Sequence, residues 1–161
     1  MKRRALARAG ERVQGTGRRR RFAPVLASAP MPATSEGSER VLVVEDDYAV
    51  RQFATEVLTD LGYHVVEAVS GDDALGILAR EHNGIDVVFS DIVMPGRSTG
   101  VALAHAMMSI RPALPVVLTS GYADGAWDLF ALPRPVRFLR KPYHVYELVQ
   151  AIRGALSEGG A

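Results

Sequence analysis

The sequence predicts an α/β fold, a five-stranded parallel sheet with helices on both faces, preceded by a disordered basic arm over residues 1–38. Three observations carry this. From Arg40 onward, short β-rich runs alternate with segments of helical spacing, five times over. The runs are almost continuously apolar, as strands covered on both faces are. Up to Ser38 neither period is sustained, and a composition of Arg, Gly, Ala, Ser and Pro offers too little apolar surface to offset the entropy of ordering.

The first run is 41–44, followed by Val50, Phe53, Ala54, Val57, Leu58 and Leu61 on one helical stripe. The second is 64–68, with Ala74, Leu75 and Leu78 after it. The third, 85–90, leads into a helix marked by Leu103, Ala106, Met107 and Ile110. The fourth is 115–119. Its helix, near 124–131, is marginal, with Gly121 and Gly125 about its start and Pro133 and Pro135 beyond its end. The fifth run, 136–139, precedes a helix with Val145, Leu148, Val149, Ile152 and Leu156 on one face, closed by Gly159 and Gly160.

At 161 residues the chain has room for one domain with a real core plus a tail, here 39–157 and 1–38. A share of 48% hydrophobic and 23% charged residues is that of an ordinary globular protein. The absence of cysteine excludes a disulfide scaffold, a zinc ribbon, an iron–sulfur site and thiol catalysis, and fits a reducing cytoplasm. No apolar run approaches the roughly 18 residues of a membrane-spanning helix. The net charge of +1 conceals a division: residues 1–37 carry nine Lys or Arg against Glu11 and Glu36, a net of +7, while the remainder carries −6. An acidic folded part is a poor partner for nucleic acid, so any such contact, or one with anionic lipid, rests on the arm; the plainer reading is a solvated Arg run. A twin-arginine export signal fits badly, because the apolar stretch after Arg21 is short and contains Pro24. Met31 offers a second start for translation, just ahead of the periodic part.

Polar residues fall at the carboxyl ends of the strands. Glu45, Asp46 and Asp47 follow the first, Asp91 ends the third, Thr119 and Ser120 the fourth, and Lys141 follows the fifth. In an open doubly wound sheet those ends share one edge, where ligands bind. If the strand order is 2-1-3-4-5, the first and third strands are neighbours and Glu45, Asp46 and Asp91 converge. Three carboxylates together repel unless a hard cation neutralises them, and Mg²⁺ accepts carboxylates while keeping waters to exchange for phosphate oxygens. Zinc has no Cys and no paired His here. Asp47 suits an N-cap of the first helix better than a ligand. His64, His82, His105 and His144 share no spacing with the acidic residues, and Met107 and Met108 suit core filling.

The runs Val-Leu-Val-Val-Glu-Asp-Asp (41–47), Phe-Ser-Asp-Ile-Val-Met-Pro-Gly (89–96), Val-Val-Leu-Thr-Ser-Gly-Tyr (116–122) and Phe-Leu-Arg-Lys-Pro-Tyr (138–143) together resemble the receiver domain of two-component response regulators, a CheY-like fold. The resemblance spans about residues 39–157. It implies that Asp91 accepts a phosphoryl group from a phosphohistidine of a sensor kinase or phosphotransfer protein. It further implies Asp46, Asp91 and the Val93 carbonyl as Mg²⁺ ligands, Glu45 as a ligand or the holder of a metal-bound water, Lys141 and Thr119 as partners of the phosphoryl oxygens, and Phe138 as a switching aromatic, whose plainer reading is core. The family's geometry also implies a cis Lys141-Pro142 bond. The loop Gly96-Arg97-Ser98-Thr99-Gly100 departs from the family's usual pattern by lacking an Asp before Gly100.

The resulting expectation is a single-domain cytoplasmic response regulator, not an enzyme beyond self-phosphorylation and dephosphorylation. With only Glu158, Gly159, Gly160 and Ala161 after residue 157, output is expected through a protein partner. Two rival readings fit less well. A Mg²⁺-dependent aspartyl-phosphate phosphatase expects a second Asp two residues after Asp91, where Val93 stands. A phosphate-independent pseudo-receiver expects a lost site residue, and none is lost.

Overall fold

A computed structural model of the chain describes residues 37–81, 84–94, 100–121 and 136–159. Five strands, β1 (Arg40–Val44), β2 (His64–Ala68), β3 (Val87–Asp91), β4 (Val116–Ser120) and β5 (Val136–Arg140), pair in parallel in the order β2-β1-β3-β4-β5. The α/β expectation and its strand order hold. Four helices are described: α1 (Tyr48–Asp60), α2 (Gly71–Arg80), α3 (Gly100–Ile110) and α4 (Val145–Gly159). Most of the basic arm, the helix expected at 124–131, His82 and the loop 95–99 lie outside the described residues. None of the described helices is long and apolar enough to cross a membrane.

Strand alternation sends successive side chains to opposite faces. Val41, Val43, Val87, Phe89 and Val117 pack with Ala54 and Leu58 of α1 and Leu148, Ile152 and Ala155 of α4. Leu42, Val44, Val88, Val116 and Leu118 pack on the other side with Ala74, Ile77 and Leu78 of α2 and Leu103, Ala104 and Met107 of α3. Burying each of these larger side chains stabilises by about 1.5–3 kcal/mol, which fixes the sheet between its two helical layers.

Local chemistry sets the element ends. The Asp47 carboxylate accepts the N–H groups of Ala49 and Val50 at 2.8 and 3.0 Å, capping α1 as expected. At the other end Gly62 takes φ 91°, where a side chain would be strained, so that its N–H reaches Thr59 O while Tyr63 N–H reaches Leu58 O. Strand bounds differ slightly from expectation. The third strand starts at Val87 rather than Ile85, the fourth at Val116 because Pro115 has no N–H to give, and the fifth runs one residue further to Arg140. The third and fourth strands also reach one residue further than expected, so Asp91 is itself the last residue of β3, in register with Thr119 of β4.

Candidate functional site

Three strands deliver polar groups to one sheet edge and one face. Counting outward from Val43, Phe89 and Val117, the period of two places Glu45, Asp91 and Thr119 on the side shared by α1 and α4. Glu45 is 2% and Asp91 8% exposed, while Asp46 is exposed. Carboxylate oxygens of Glu45, Asp46 and Asp91 lie within 4.8 Å of one another. Lys141, from the turn after β5, reaches into this group: its Nζ donates to Glu45 Oε2 and to Asp91 Oδ2, each at 2.7 Å. The Lys141-Pro142 peptide bond is cis.

The ammonium supplies one positive charge to three carboxylates. Burial pushes the Glu45 carboxyl above the usual carboxylate range, although the Lys141 contact pulls the other way. For Lys141 the balance reverses: burial lowers it, but hydrogen bonds to Asp91 and Glu45 prevail and hold the ammonium on. The cluster therefore retains excess negative charge and offers only hard oxygen donors, a set that fits Mg²⁺. Lys141 thus provides part of the neutralisation that the sequence alone leaves to a metal ion.

The other expected residues fall as follows. Val93 gives its N–H to Asp91 Oδ1 at 3.1 Å, and its side chain is exposed. The Thr119 hydroxyl is buried and finds no hydrogen-bond partner among the described residues. Phe138, in register with Leu118, is 43% exposed, so it is not core. Its strand position puts it on the face of α2 and α3, opposite the acidic cluster. His64, His105 and His144 are exposed and take no part.

Two residues were missed. Arg51 of α1 is 8% exposed, and its Nη1 donates to the carbonyl of Glu45 at 2.7 Å and of Asp46 at 3.4 Å, while Nε pairs with Glu67 at 3.0 Å. Positions 51, 54 and 58 share a helical stripe, so its inward direction was legible; Phe53, assigned to that stripe, is 42% exposed instead. Tyr143 packs edge-on to Phe89 with ring centroids 5.8 Å apart, and its buried hydroxyl lacks a partner among the described residues. Burial raises the Tyr143 phenol to about 12, against a smaller lowering by Lys141.

A family model described as the response regulator receiver domain matches residues 41–153. The response regulator receiver protein CpdR of Brucella abortus (strain 2308) is 34% identical over 119 residues, a match covering 73% of this chain and 97% of CpdR. The sensor kinase CckA of the same organism is 36% identical over 126 residues, 76% of this chain but only 13% of the kinase. Among solved structures, the receiver domain of the hybrid histidine kinase CckA matches with TM-score 0.61 at 35% identity, covering 73% of this chain and 98% of that one. A response regulator receiver domain protein from Clostridium thermocellum matches with TM-score 0.68 at 28% identity, covering 74% and 94%.

Proposed function

This chain belongs to the response regulator receiver family, and on that premise we propose that it is a single-domain response regulator in which residues 39–157 form the receiver and Asp91 is the phosphoacceptor. The observation that carries the reading is the carboxylate of Asp91 closing β3 beside Glu45 and Asp46, with Lys141 Nζ at 2.7 Å.

Receiver domains are signalling phosphoacceptors, and they bind Mg²⁺ at an acidic pocket. Here Glu45, Asp46 and Asp91, with the Val93 carbonyl, would hold the ion, which when bound supplies positive charge beside the phosphoryl oxygens. The Asp91 carboxylate attacks the phosphorus of a phosphohistidine on a sensor kinase or phosphotransfer protein. A P–O bond forms as the P–N bond breaks; the departing imidazole keeps the electron pair and takes a proton from solvent, leaving an acyl phosphate. Lys141 exchanges its contact with Asp91 for one with a phosphoryl oxygen. Thr119, whose hydroxyl has no competing partner among the described residues, donates to another.

Thr119 moving toward the phosphate draws on the residues that follow β4, and Phe138 on the adjacent strand turns in response, shifting a pre-existing two-state balance on a face read by a protein target. The reaction takes place in the cytoplasm, where kinase domains and Mg²⁺ are available. Incubation with Mg²⁺ and acetyl phosphate, followed by intact mass, tests the assignment. Wild type is expected to gain one phosphoryl group and Asp91→Asn none; equal labelling of both overturns it.

A further inference from the structure

The buried guanidinium of Arg51 reaches the backbone of Glu45 and Asp46 rather than their carboxylates. Its hydrogen bonds go to the backbone carbonyls of Glu45 and Asp46 and to the carboxylate of Glu67 on β2, and none goes to the carboxylates of Glu45, Asp46 or Asp91. Glu67 is held in turn by Gln52 Nε2 at 3.2 Å, and the Tyr48 ring lies over the guanidinium, 5.6 Å from its carbon. The fork is thus fixed on three sides, by a neighbouring strand, an aromatic ring and two successive carbonyls.

Holding two consecutive carbonyls fixes the peptide planes on either side of Asp46, and with them the direction in which its side chain leaves the backbone. This matters most for Asp46, which is exposed and whose carboxylate has no hydrogen bond among the described residues, whereas Glu45 and Asp91 are already gripped by Lys141. Resting on the receiver reading above, we infer that Arg51 is a positioning residue for Mg²⁺ capture, which aims the Asp46 carboxylate at the cluster through the backbone while leaving every ligand oxygen free. An ammonium cannot replace it, because one nitrogen cannot span both carbonyls and Glu67.

The test titrates Mg²⁺ into the full chain by calorimetry for wild type, Arg51→Gln, Arg51→Lys and Glu67→Gln. Thermal unfolding in EDTA and acetyl-phosphate labelling across Mg²⁺ concentrations accompany it. Residues that orient metal ligands from behind change affinity by about 10- to 100-fold when replaced. Arg51→Gln is expected to weaken Mg²⁺ binding about tenfold, Arg51→Lys to fail as a rescue, and Glu67→Gln to weaken it by a smaller factor. The maximal labelling rate at saturating Mg²⁺ stays near that of wild type, while half-saturation shifts with affinity. Lowered thermal stability with unchanged Mg²⁺ affinity would overturn the inference and leave a merely structural arginine. Should Arg51→Gln fail to fold, Glu67→Gln decides, and unchanged affinity there overturns it equally. Absence of Mg²⁺ binding or labelling in wild type would instead overturn the receiver reading itself.

Discussion

Replacing Lys141 by Met removes a cation that lies between two buried carboxylates. Its Nζ is 2.7 Å from both Glu45 Oε2 and Asp91 Oδ2, and those residues are 2% and 8% exposed. Removing one partner of a buried pair costs about 3–5 kcal/mol because the remaining charge stays desolvated. The lysine side chain is 19% exposed, so water screens part of the loss and the lower end, about 3 kcal/mol, is expected at neutral pH in EDTA. Two further effects give the prediction its signature. Saturating Mg²⁺ restores much of the stability, by RT ln(1 + [Mg²⁺]/Kd), because it binds the folded cluster and returns positive charge to it. Acid also helps: Glu45 has a folded pKa above its unfolded value of 4.5, so as pH falls through the raised value the folded state takes up a proton first and stability rises. The assay is urea unfolding of wild type and variant, with and without Mg²⁺, at neutral and mildly acidic pH. A loss under about 0.5 kcal/mol, or one equally large with Mg²⁺ present, would refute the electrostatic reasoning.

Three other outcomes follow from the same coordinates. Gly100→Ala places a Cβ onto the Asp91 carbonyl oxygen and the Ile92 Cα, both backbone atoms that cannot yield easily, so a destabilisation of about 3 kcal/mol is expected; an unchanged urea midpoint would count against that packing. Asp47→Ala removes the α1 cap and is expected to cost about 1 kcal/mol while leaving Mg²⁺ affinity intact; a fall in affinity would make Asp47 a ligand. Tyr143→Phe deletes a buried hydroxyl that bonds to none of the described residues, so stability is expected to stay level or rise by about 1 kcal/mol; a marked loss would reveal a further partner. In the wild type that phenol should titrate at about 12 by ultraviolet difference against Tyr143→Phe, and because its unfolded value is 10.0, wild-type stability is expected to fall relative to Tyr143→Phe as pH rises from 10 through about 12.

The topology was legible because hydrophobic period and strand length are local properties, and the polar residues of the site interrupt apolar runs at their carboxyl ends. Glu45, Asp91, Thr119 and Lys141 announce themselves in this way, being polar where a buried strand closes. Arg51 did not, because its partners are two backbone carbonyls and a glutamate sixteen residues later, none of which a reading of side-chain polarity can pair. Phe53 was misplaced for the converse reason: an apolar type at helical spacing counts toward the core, yet its ring lies at the rim, 6.3 Å from that of Tyr143. The bridging of Glu45 and Asp91 by Lys141 joins residues 96 and 50 positions apart, and only the folded chain shows that the amine takes up part of the charge.

The central claim is that Asp91, set among Glu45, Asp46 and Lys141, forms the acyl phosphate in a Mg²⁺-dependent reaction. Borohydride reduction of the labelled protein, followed by peptide sequencing in a mass spectrometer, reads this directly, because an aspartyl phosphate is reduced to homoserine. Homoserine at position 91, formed with Mg²⁺ and absent with EDTA, is the expected result. Modification at any other residue, or at Asp91 irrespective of Mg²⁺, would contradict it.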